Sequence, residues 1–369
     1  MATTNRLREI DFLRGIAIIL VLLRHKYLFQ FTTTMGWIGV DLFFTLSGFL
    51  VSGLLFKEFL KFGDIQPKRF LIRRGFKIYP IYYLFYILYL IPILLYSKFK
   101  IVPFLSDMVF MQNYVCGWGY AYGASWSLAI EEHFYFGLAI FLWLGIKYNF
   151  IILKADTKAG KKAISFQKLI ISILILCLLL RLISNTIFPA QLTRNFTMTH
   201  LRIDSLIAGV YVSYLFYFKR QQLTEIFARY KYVFISIAFL GLVWTPFIEP
   251  LPSFFVKTIG FTFLYISFGI TLIYFILNTG INKRLDSLFS APIVNVVSKI
   301  GYCSYSIYII HSLINDYTKK MYVAYNLPYN NYFDFFATSA ISISLGMLMT
   351  YIIEDYFLRI RNNYVPTRI

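Results

Sequence analysis

The chain is short of acidic residues and cysteine, and it has no polar stretch long enough to build a soluble domain. Its 369 residues hold 17 Asp and Glu against 36 Lys and Arg, a formal charge of +19. The three cysteines, Cys116, Cys177 and Cys303, have neither metal-ligand nor disulfide-framework spacing, so no structural metal and no cystine-stapled fold is expected. The longest polar segment, 147–168, reads as a loop. The first apolar run starts at Ile10 and lacks a small-residue cleavage site, so it reads as a retained span and not a signal peptide. There is no glycine-rich phosphate loop, and no internal repeat like those of inverted-repeat transporters.

Apolar sequence is abundant. Hydrophobic residues make up 59% and aromatics 20% of the chain, and mean hydropathy is +0.65. Soluble domains sit near half apolar. Because this excess runs along the whole chain, the expected fold is an all-α polytopic integral membrane protein. Windows of roughly 18 to 25 residues, the length that crosses a bilayer, give about ten spans. They cover 10–29, 37–56, 78–96, 126–146 and 169–188, then 201–218, 232–248, 254–277, 293–313 and 333–357. A glycine-broken piece, 103–124, is expected to be interfacial or re-entrant on the outer side.

The basic residues sort by loop. One alternating set contains Arg6 and Arg8, seven cations between Lys57 and Lys77, six between Lys147 and Lys168, four between Lys219 and Lys231, Lys283 with Arg284, and Arg359, Arg361 and Arg368. The other set holds only Lys98, Lys100, Arg194, Lys319 and Lys320. By the positive-inside rule both termini are cytoplasmic. The positive charge is thus explained by sidedness, and no basic domain is left over for a nucleic acid. The expected organisation is one membrane unit, 1–358, and a short basic cytoplasmic tail, 359–369, with no further soluble domain.

Ionisable groups inside the spans are costly and need a reason. The first span carries Asp11, Arg14, Arg24 and His25. Asp11, Arg14 and His25 share a helix face, with Arg14 and His25 about 16 Å apart along the axis. They cannot touch in a straight helix but can line one channel at two depths. Asp41, in the second span, lies at about the depth of His25, where a carboxylate can orient an imidazole. In the fourth span Ser127, Glu131 and Tyr135 recur every four residues and share a face, with Glu132 and His133 alongside. Blander readings exist for each: an interhelical hydrogen bond for a histidine, snorkelling for Arg14, a transporter's proton relay for the glutamates.

In combination, these motifs resemble those of the acyltransferase-3 family of membrane acyltransferases, which modify bacterial surface polysaccharides and some other acceptors. Arg14 and His25, within Asp11–Ala17, match its first signature. The 39–49 segment resembles the second-span motif, 70–80 the basic cytoplasmic motif, and Trp126, Ser127, Glu131 and Tyr135 the fourth-span signature. Weaker matches are 111–114, 199–204 with Gly209, 301–308 with His311, and Glu354. Lys77 stands where the family's basic motif usually ends in arginine, which keeps charge but loses bidentate phosphate binding. His133 stands where glutamine is common.

The resemblance implies a bacterial inner-membrane enzyme that moves an acyl group, usually acetyl, from cytoplasmic acyl-CoA (acetyl-CoA) to a hydroxyl of a surface glycan or glycolipid. Acyl-CoA is a co-substrate, with no tightly bound cofactor. Arg73, Arg74 and Lys77 are expected to meet the nucleotide phosphates, although such a loop can equally touch anionic lipid. The pantetheine arm would thread between helices past Arg14 to His25, the general base. Asn113, Trp126 and Ser127 are candidates for stabilising the oxyanion, and Glu131 or Asp41 for orienting His25 or binding the sugar. A covalent route through acyl-His25 is the alternative. Rival readings are a proton-coupled transporter of a glycan pathway, an acyltransferase with a lipid or small-molecule acceptor, and an inactive scaffold.

Overall fold

A computed structural model describes residues 7–153, 164–326 and 328–368. The expectations that rest on Arg6 and on Lys154, Lys158, Lys161 and Lys162 lie outside the described residues. Within them the chain is almost wholly helical. The first half contains α1 (Arg8–His25), α2 (Gln30–Met35), α3 (Ile38–Phe62), α4 (Pro67–Tyr96), α5 (Ile101–Met108), α6 (Gln112–Val115), α7 (Trp126–Lys147) and α8 (Phe166–Ile187). The second half contains α9 (Leu192–Thr197), α10 (Thr199–Arg202), α11 (Asp204–Phe218), α12 (Arg220–Leu242), α13 (Phe261–Leu277) and α14 (Ile281–Phe289). It ends with α15 (Ala291–Tyr302), α16 (Ser304–Ala324), α17 (Asn331–Met349) and α18 (Asp355–Tyr364). A two-residue parallel pairing, Ile151–Ile152 with Ile164–Ser165, closes the base of the loop after α7.

Each of the ten expected segments falls on helix. Among the described residues, six helices are long and apolar enough to cross a membrane, or up to seven if a bent pair counts as one span. The rest depart for visible reasons. α1 carries the site's own charges, α11 is only 15 residues long, and α12 loses helical geometry at Tyr230. The expected ninth span, 293–313, is not continuous: the chain bends by 78° between α15 and α16. α15 lies against α1, where a side chain on Gly301 would come within 1.8 Å of the Asp11 carbonyl. α16 then turns to run beside the second half of α1.

The core is built by close helix approach. A Cβ on Gly48 of α3 would sit 2.0 Å from the Leu206 carbonyl, and one on Gly209 of α11 would sit 2.1 Å from the Thr45 carbonyl. Small residues allow this in an apolar medium, where association comes from packing and hydrogen bonds and not from hydrophobic exclusion. The faces away from this core remain apolar and open, as on Leu94 and Leu95 of α4 and Ile175, Leu176 and Ile183 of α8. That is the expected surface for lipid contact.

Ion pairs close the two ends of the bundle. At one end Arg8 pairs with Asp286 at 2.6 Å and Arg368 with Asp64 at 2.8 Å and Glu58 at 3.1 Å. The Arg8 hydrogen bond holds the Asp286 carboxyl below the usual carboxylate range. At the other end Arg24 pairs with Glu249 at 2.8 Å and Lys26 with Asp334 at 2.7 Å. Each pair joins segments that the charge pattern places on the same side. The 103–124 segment folds as short helices against the bundle. There the buried Asp107 accepts the Tyr120 and Ala121 amides at 3.0 Å and the Tyr86 hydroxyl at 2.8 Å.

Candidate functional site

Four cavities run through the bundle, and each shares lining residues with the next. At the end where α4 begins, a cavity of about 300 Å³ is lined by Arg14, Arg69, Arg73, Arg74, Lys77, Arg361 and Arg368. Glu58 is the one acid among its described lining residues. The cations cluster because α4 presents Arg69, Arg73 and Lys77 at four-residue intervals, on one helix face. Their present partners differ. Lys77 reaches Glu354 at 3.5 Å, and Arg74 lies over the Tyr135 ring at 5.2 Å. Arg69 and Arg73 donate to the backbone carbonyls of Pro366 and Val365.

Arg14 also lines the next space, a narrow waist of about 70 Å³ bounded by Ser47, Ser127, Glu131, Ser304, Tyr305 and Tyr308. Its guanidinium donates to Ser304 Oγ from Nη2 at 3.0 Å and from Nε at 3.3 Å. Glu131 accepts from Ser47 at 2.9 Å and from Tyr135 at 2.8 Å, so each carboxylate oxygen has a donor. Ser127 and Tyr308 join their hydroxyls at 2.7 Å. The waist is thus polar on a ring of side chains that are already fixed in place.

Val40 and Tyr308 line both the waist and an outer cavity of about 450 Å³. That cavity is walled by Trp37, Trp118, Trp126 and Phe196 and contains His25. His25 also lines a second outer groove of about 580 Å³. Its imidazole therefore stands between two spaces, and among the described residues it makes no hydrogen bond to protein. Its nearest ring neighbour is His311, with centroids 4.9 Å apart.

α16 is opened beside this pair. The Tyr89 hydroxyl donates to the Ile309 carbonyl at 2.6 Å and accepts the Leu313 amide at 2.9 Å, so it stands in the helical ladder between them. The Tyr308 carbonyl accepts the Tyr122 hydroxyl at 2.5 Å and His311 Nδ1 at 2.6 Å. A carbonyl can only accept, so His311 carries its proton on Nδ1. In the neutral ring Nε2 is then the acceptor for the Ser312 hydroxyl at 3.1 Å.

The structure brings together much of what the sequence singles out. Arg14, Ser127 and Glu131 meet in the waist, Trp126 and His25 in the outer cavity, and Arg73, Arg74 and Lys77 in the basic cavity. Three expectations fail, the first being Glu131 as the group that orients His25: its two oxygens accept from Ser47 and Tyr135 in the waist, and it does not line the chamber that holds His25. Asp41 does not reach His25: it is fully buried and accepts Arg202 Nη2 on both oxygens at 3.0 Å and Ser205 at 3.0 Å. A buried carboxylate is tolerated when paired in this way. Asn113 lines none of these cavities, and its amide donates to Thr199 Oγ1 at 2.8 Å and to the Thr197 carbonyl at 3.2 Å. That leaves it braced in the wall and not aimed at a reacting carbonyl. His133 is likewise interhelical, with Nδ1 2.7 Å from Thr199 Oγ1.

Residues missed by the sequence reading are His311 as the neighbour of His25, Ser304 as the anchor of Arg14, and the tail residues Arg361 and Arg368 in the basic cavity. His311 and Ser304 lie in a segment whose motif was visible without its role. The tail gave no signal beyond charge.

A family profile described as an acyltransferase domain matches residues 7–354. A Staphylococcus aureus protein provisionally named an O-acetyltransferase is 27% identical over 97% of this chain and 59% of its own length. The peptidoglycan O-acetyltransferase OatA of Listeria monocytogenes is 31% identical over 38% of this chain and 25% of its own. A Bacillus subtilis protein, YrhL, provisionally named a peptidoglycan O-acetyltransferase, is 26% identical over 46% of this chain and 27% of its own length. The chain spans from about a quarter to about three fifths of the length of these relatives. No solved structure matches.

Proposed function

Because the chain belongs to the acyltransferase-3 family of membrane acyltransferases, we propose that it carries an acetyl group from cytoplasmic acetyl-CoA through the bundle to a glycan hydroxyl at His25. The observation that carries this reading is the line of connected cavities. A basic pocket opens at one end, Arg14 links it to a polar waist, and the waist opens through Val40 and Tyr308 onto the chamber that holds His25.

The chemistry follows from the residues present. The phosphates and nucleotide of CoA are met by Arg69, Arg73, Arg74, Lys77 and Arg361, a cluster with charge and forked donors suited to phosphate oxygens. The pantetheine arm passes Arg14 into the waist, whose short cross-section excludes the nucleotide and admits a chain. The thioester then lies near Tyr308 and the Trp126 indole, and the Tyr308 hydroxyl, which donates to the Ala124 carbonyl at 3.0 Å and meets Ser127 at 2.7 Å, turns from that carbonyl to donate to the developing oxyanion. The acceptor oxygen attacks the carbonyl carbon while His25 takes its proton. The tetrahedral intermediate collapses with loss of the CoA thiolate, and the proton passes from His25 to that sulfur. His25 is free for this role because no protein group among the described residues occupies its ring nitrogens. The names of the peptidoglycan O-acetyltransferase relatives favour a cell-wall glycan as acceptor.

The test is transfer of radiolabelled acetyl from acetyl-CoA to cell-wall glycan by the purified protein, compared with His25→Ala and Arg14→Ala. Loss of the base is expected to lower transfer by about 10²- to 10⁴-fold. Label retained on wild-type protein after removal of donor would favour an acyl-histidine route instead. Absence of acetyl-CoA binding and turnover would remove the donor assignment and bring a proton-coupled transporter forward.

A further inference from the structure

The groove on the outer side of His25 holds polar groups that the protein itself does not use. Its lining includes Tyr27, Asn315, Asp316, Lys319, Tyr322 and Tyr329. Lys26 is committed to Asp334 at 2.7 Å, and the Tyr329 hydroxyl donates to the same carboxylate at 3.3 Å. Those contacts fix the rim. The side chains of Asn315, Asp316 and Lys319, by contrast, make no hydrogen bond or ion pair to protein among the described residues. Asp316 also lines the tryptophan-walled chamber, so this carboxylate and His25 both stand where the two spaces meet. Tyr322 packs against Tyr329 in an edge-to-face pair, with centroids 5.3 Å apart and planes at 79°, and is only partly buried in the groove.

Resting on the acyltransferase reading above, we propose that this groove is the acceptor subsite and that it takes a neutral pyranose of a glycan strand. Asp316 accepts from two ring hydroxyls, Asn315 both donates and accepts, and a sugar face packs on Tyr322. This is the pairing that a hydroxyl-rich ring with an apolar face requires. The free charges of the groove, one carboxylate and one ammonium, cancel. Nothing there selects an anionic sugar, as a row of unpaired cations would. The division of the two outer spaces then has a purpose. The tryptophan-walled chamber receives the acetyl end of the donor from the waist, the polar groove receives the acceptor, and His25 stands between them to take the hydroxyl proton.

Two readouts separate this proposal from the reading it rests on. The first is acetyl transfer to glycan strands released from peptidoglycan by amidase, measured beside acetyl-CoA hydrolysis without acceptor. Asp316→Asn and Tyr322→Ala are each expected to raise the KM for glycan strands about tenfold, the scale of one lost charge-assisted contact. Hydrolysis of acetyl-CoA by Tyr322→Ala, a residue that lines the polar groove and not the tryptophan-walled chamber, should stay within about twofold of wild type. The second is saturation-transfer NMR with chitotetraose in the absence of CoA. Wild type is expected to show transfer to the sugar protons, and both variants are expected to lose it. Unchanged KM in both variants, or equal falls in hydrolysis and transfer in Tyr322→Ala, would overturn the acceptor subsite while leaving the acyltransferase reading intact. Chitotetraose binding that depends on Asp316, in a protein that does not turn over acetyl-CoA, would keep the sugar site and overturn the enzyme reading.

Discussion

Asp41 and His25 are both intramembrane ionisable residues at one depth, yet the structure gives them opposite situations. Asp41 is fully buried and bound by Arg202 and Ser205, whereas His25 faces two cavities and makes no hydrogen bond among the described residues. Substitution should therefore separate them. Asp41→Ala leaves the Arg202 guanidinium buried without its anion, which costs about 3–5 kcal/mol. It should lower the thermal midpoint of the detergent-solubilised protein sharply and reduce its yield. His25→Ala removes a ring that makes no hydrogen bond among the described residues, so it should leave the midpoint nearly unchanged while lowering transfer by about 10²- to 10⁴-fold. A normal midpoint for Asp41→Ala with lost transfer would return Asp41 to the chemistry. The sequence placed Arg14 and His25 on one face because helical periodicity is local. It did not show the partner of Asp41, since Arg202 lies 161 positions away and no periodicity links them. The insertion of the Tyr89 hydroxyl into α16 was hidden for the same reason: one tyrosine among 30 carries no mark that it enters another helix's ladder.

At the scale of elements, the segment after α18 packs into the basic cavity. Its Val365 and Pro366 carbonyls occupy Arg73 and Arg69, and Arg368 ties it to Glu58 and Asp64. These carbonyls hold donors that CoA phosphates would use more strongly, because a phosphate oxygen carries charge and a carbonyl does not. Deleting residues 365–369 is expected to lower the KM for acetyl-CoA about fivefold, given roughly 1 kcal/mol net for a hydrogen bond released to the ligand. The same deletion removes the two rim ion pairs of Arg368, with Glu58 and Asp64, and exposed pairs contribute little, so the melting temperature should move little. A higher KM would mean that Arg368 and Thr367 bind the donor themselves. In the sequence this segment was legible only as a basic tail, because a backbone carbonyl has no side-chain signature. The break between α15 and α16 was equally hidden. Gly301-Tyr302-Cys303-Ser304 contains no proline, and an apolar window reads across it. The reason for the bend is tertiary: Gly301 lets α15 meet α1 at the Asp11 carbonyl, and α16 must then turn to follow the other half of α1.

For the whole molecule, hydropathy and sidedness carry different information. Two of the helices that fall short of a plain apolar span, α1 and α11, do so because they carry or enclose the polar interior. α1 holds Arg14 and His25, and α11 packs against α3 within the core. Such helices are shielded by protein and need not satisfy lipid. Charge sidedness does not depend on that shielding, since the rim residues end in water whichever helix precedes them. The ion pairs at the two ends therefore make a firm prediction about crossings. Arg8 pairs with Asp286, so the α14 segment must share a side with the start of α1. Arg24 and Lys26 pair with Glu249 and Asp334, so the segments after α12 and before α17 must share the opposite side. With Cys116, Cys177 and Cys303 replaced by serine, single cysteines at Lys98, Lys319, Lys61, Lys283 and Arg361 should divide into two groups in intact cells. A membrane-impermeant maleimide is expected to label Lys98→Cys and Lys319→Cys directly. It should label Lys61→Cys, Lys283→Cys and Arg361→Cys only after permeabilisation. Position 283 decides most, because it follows α12 and α13, one kinked and one opened by a π-turn at Val256–Gly260. If it is labelled from outside, one of those helices does not cross. The Arg8–Asp286 pair would then join opposite sides of a membrane, which no 2.6 Å contact can do, and the arrangement of α14 against α1 would have to be abandoned.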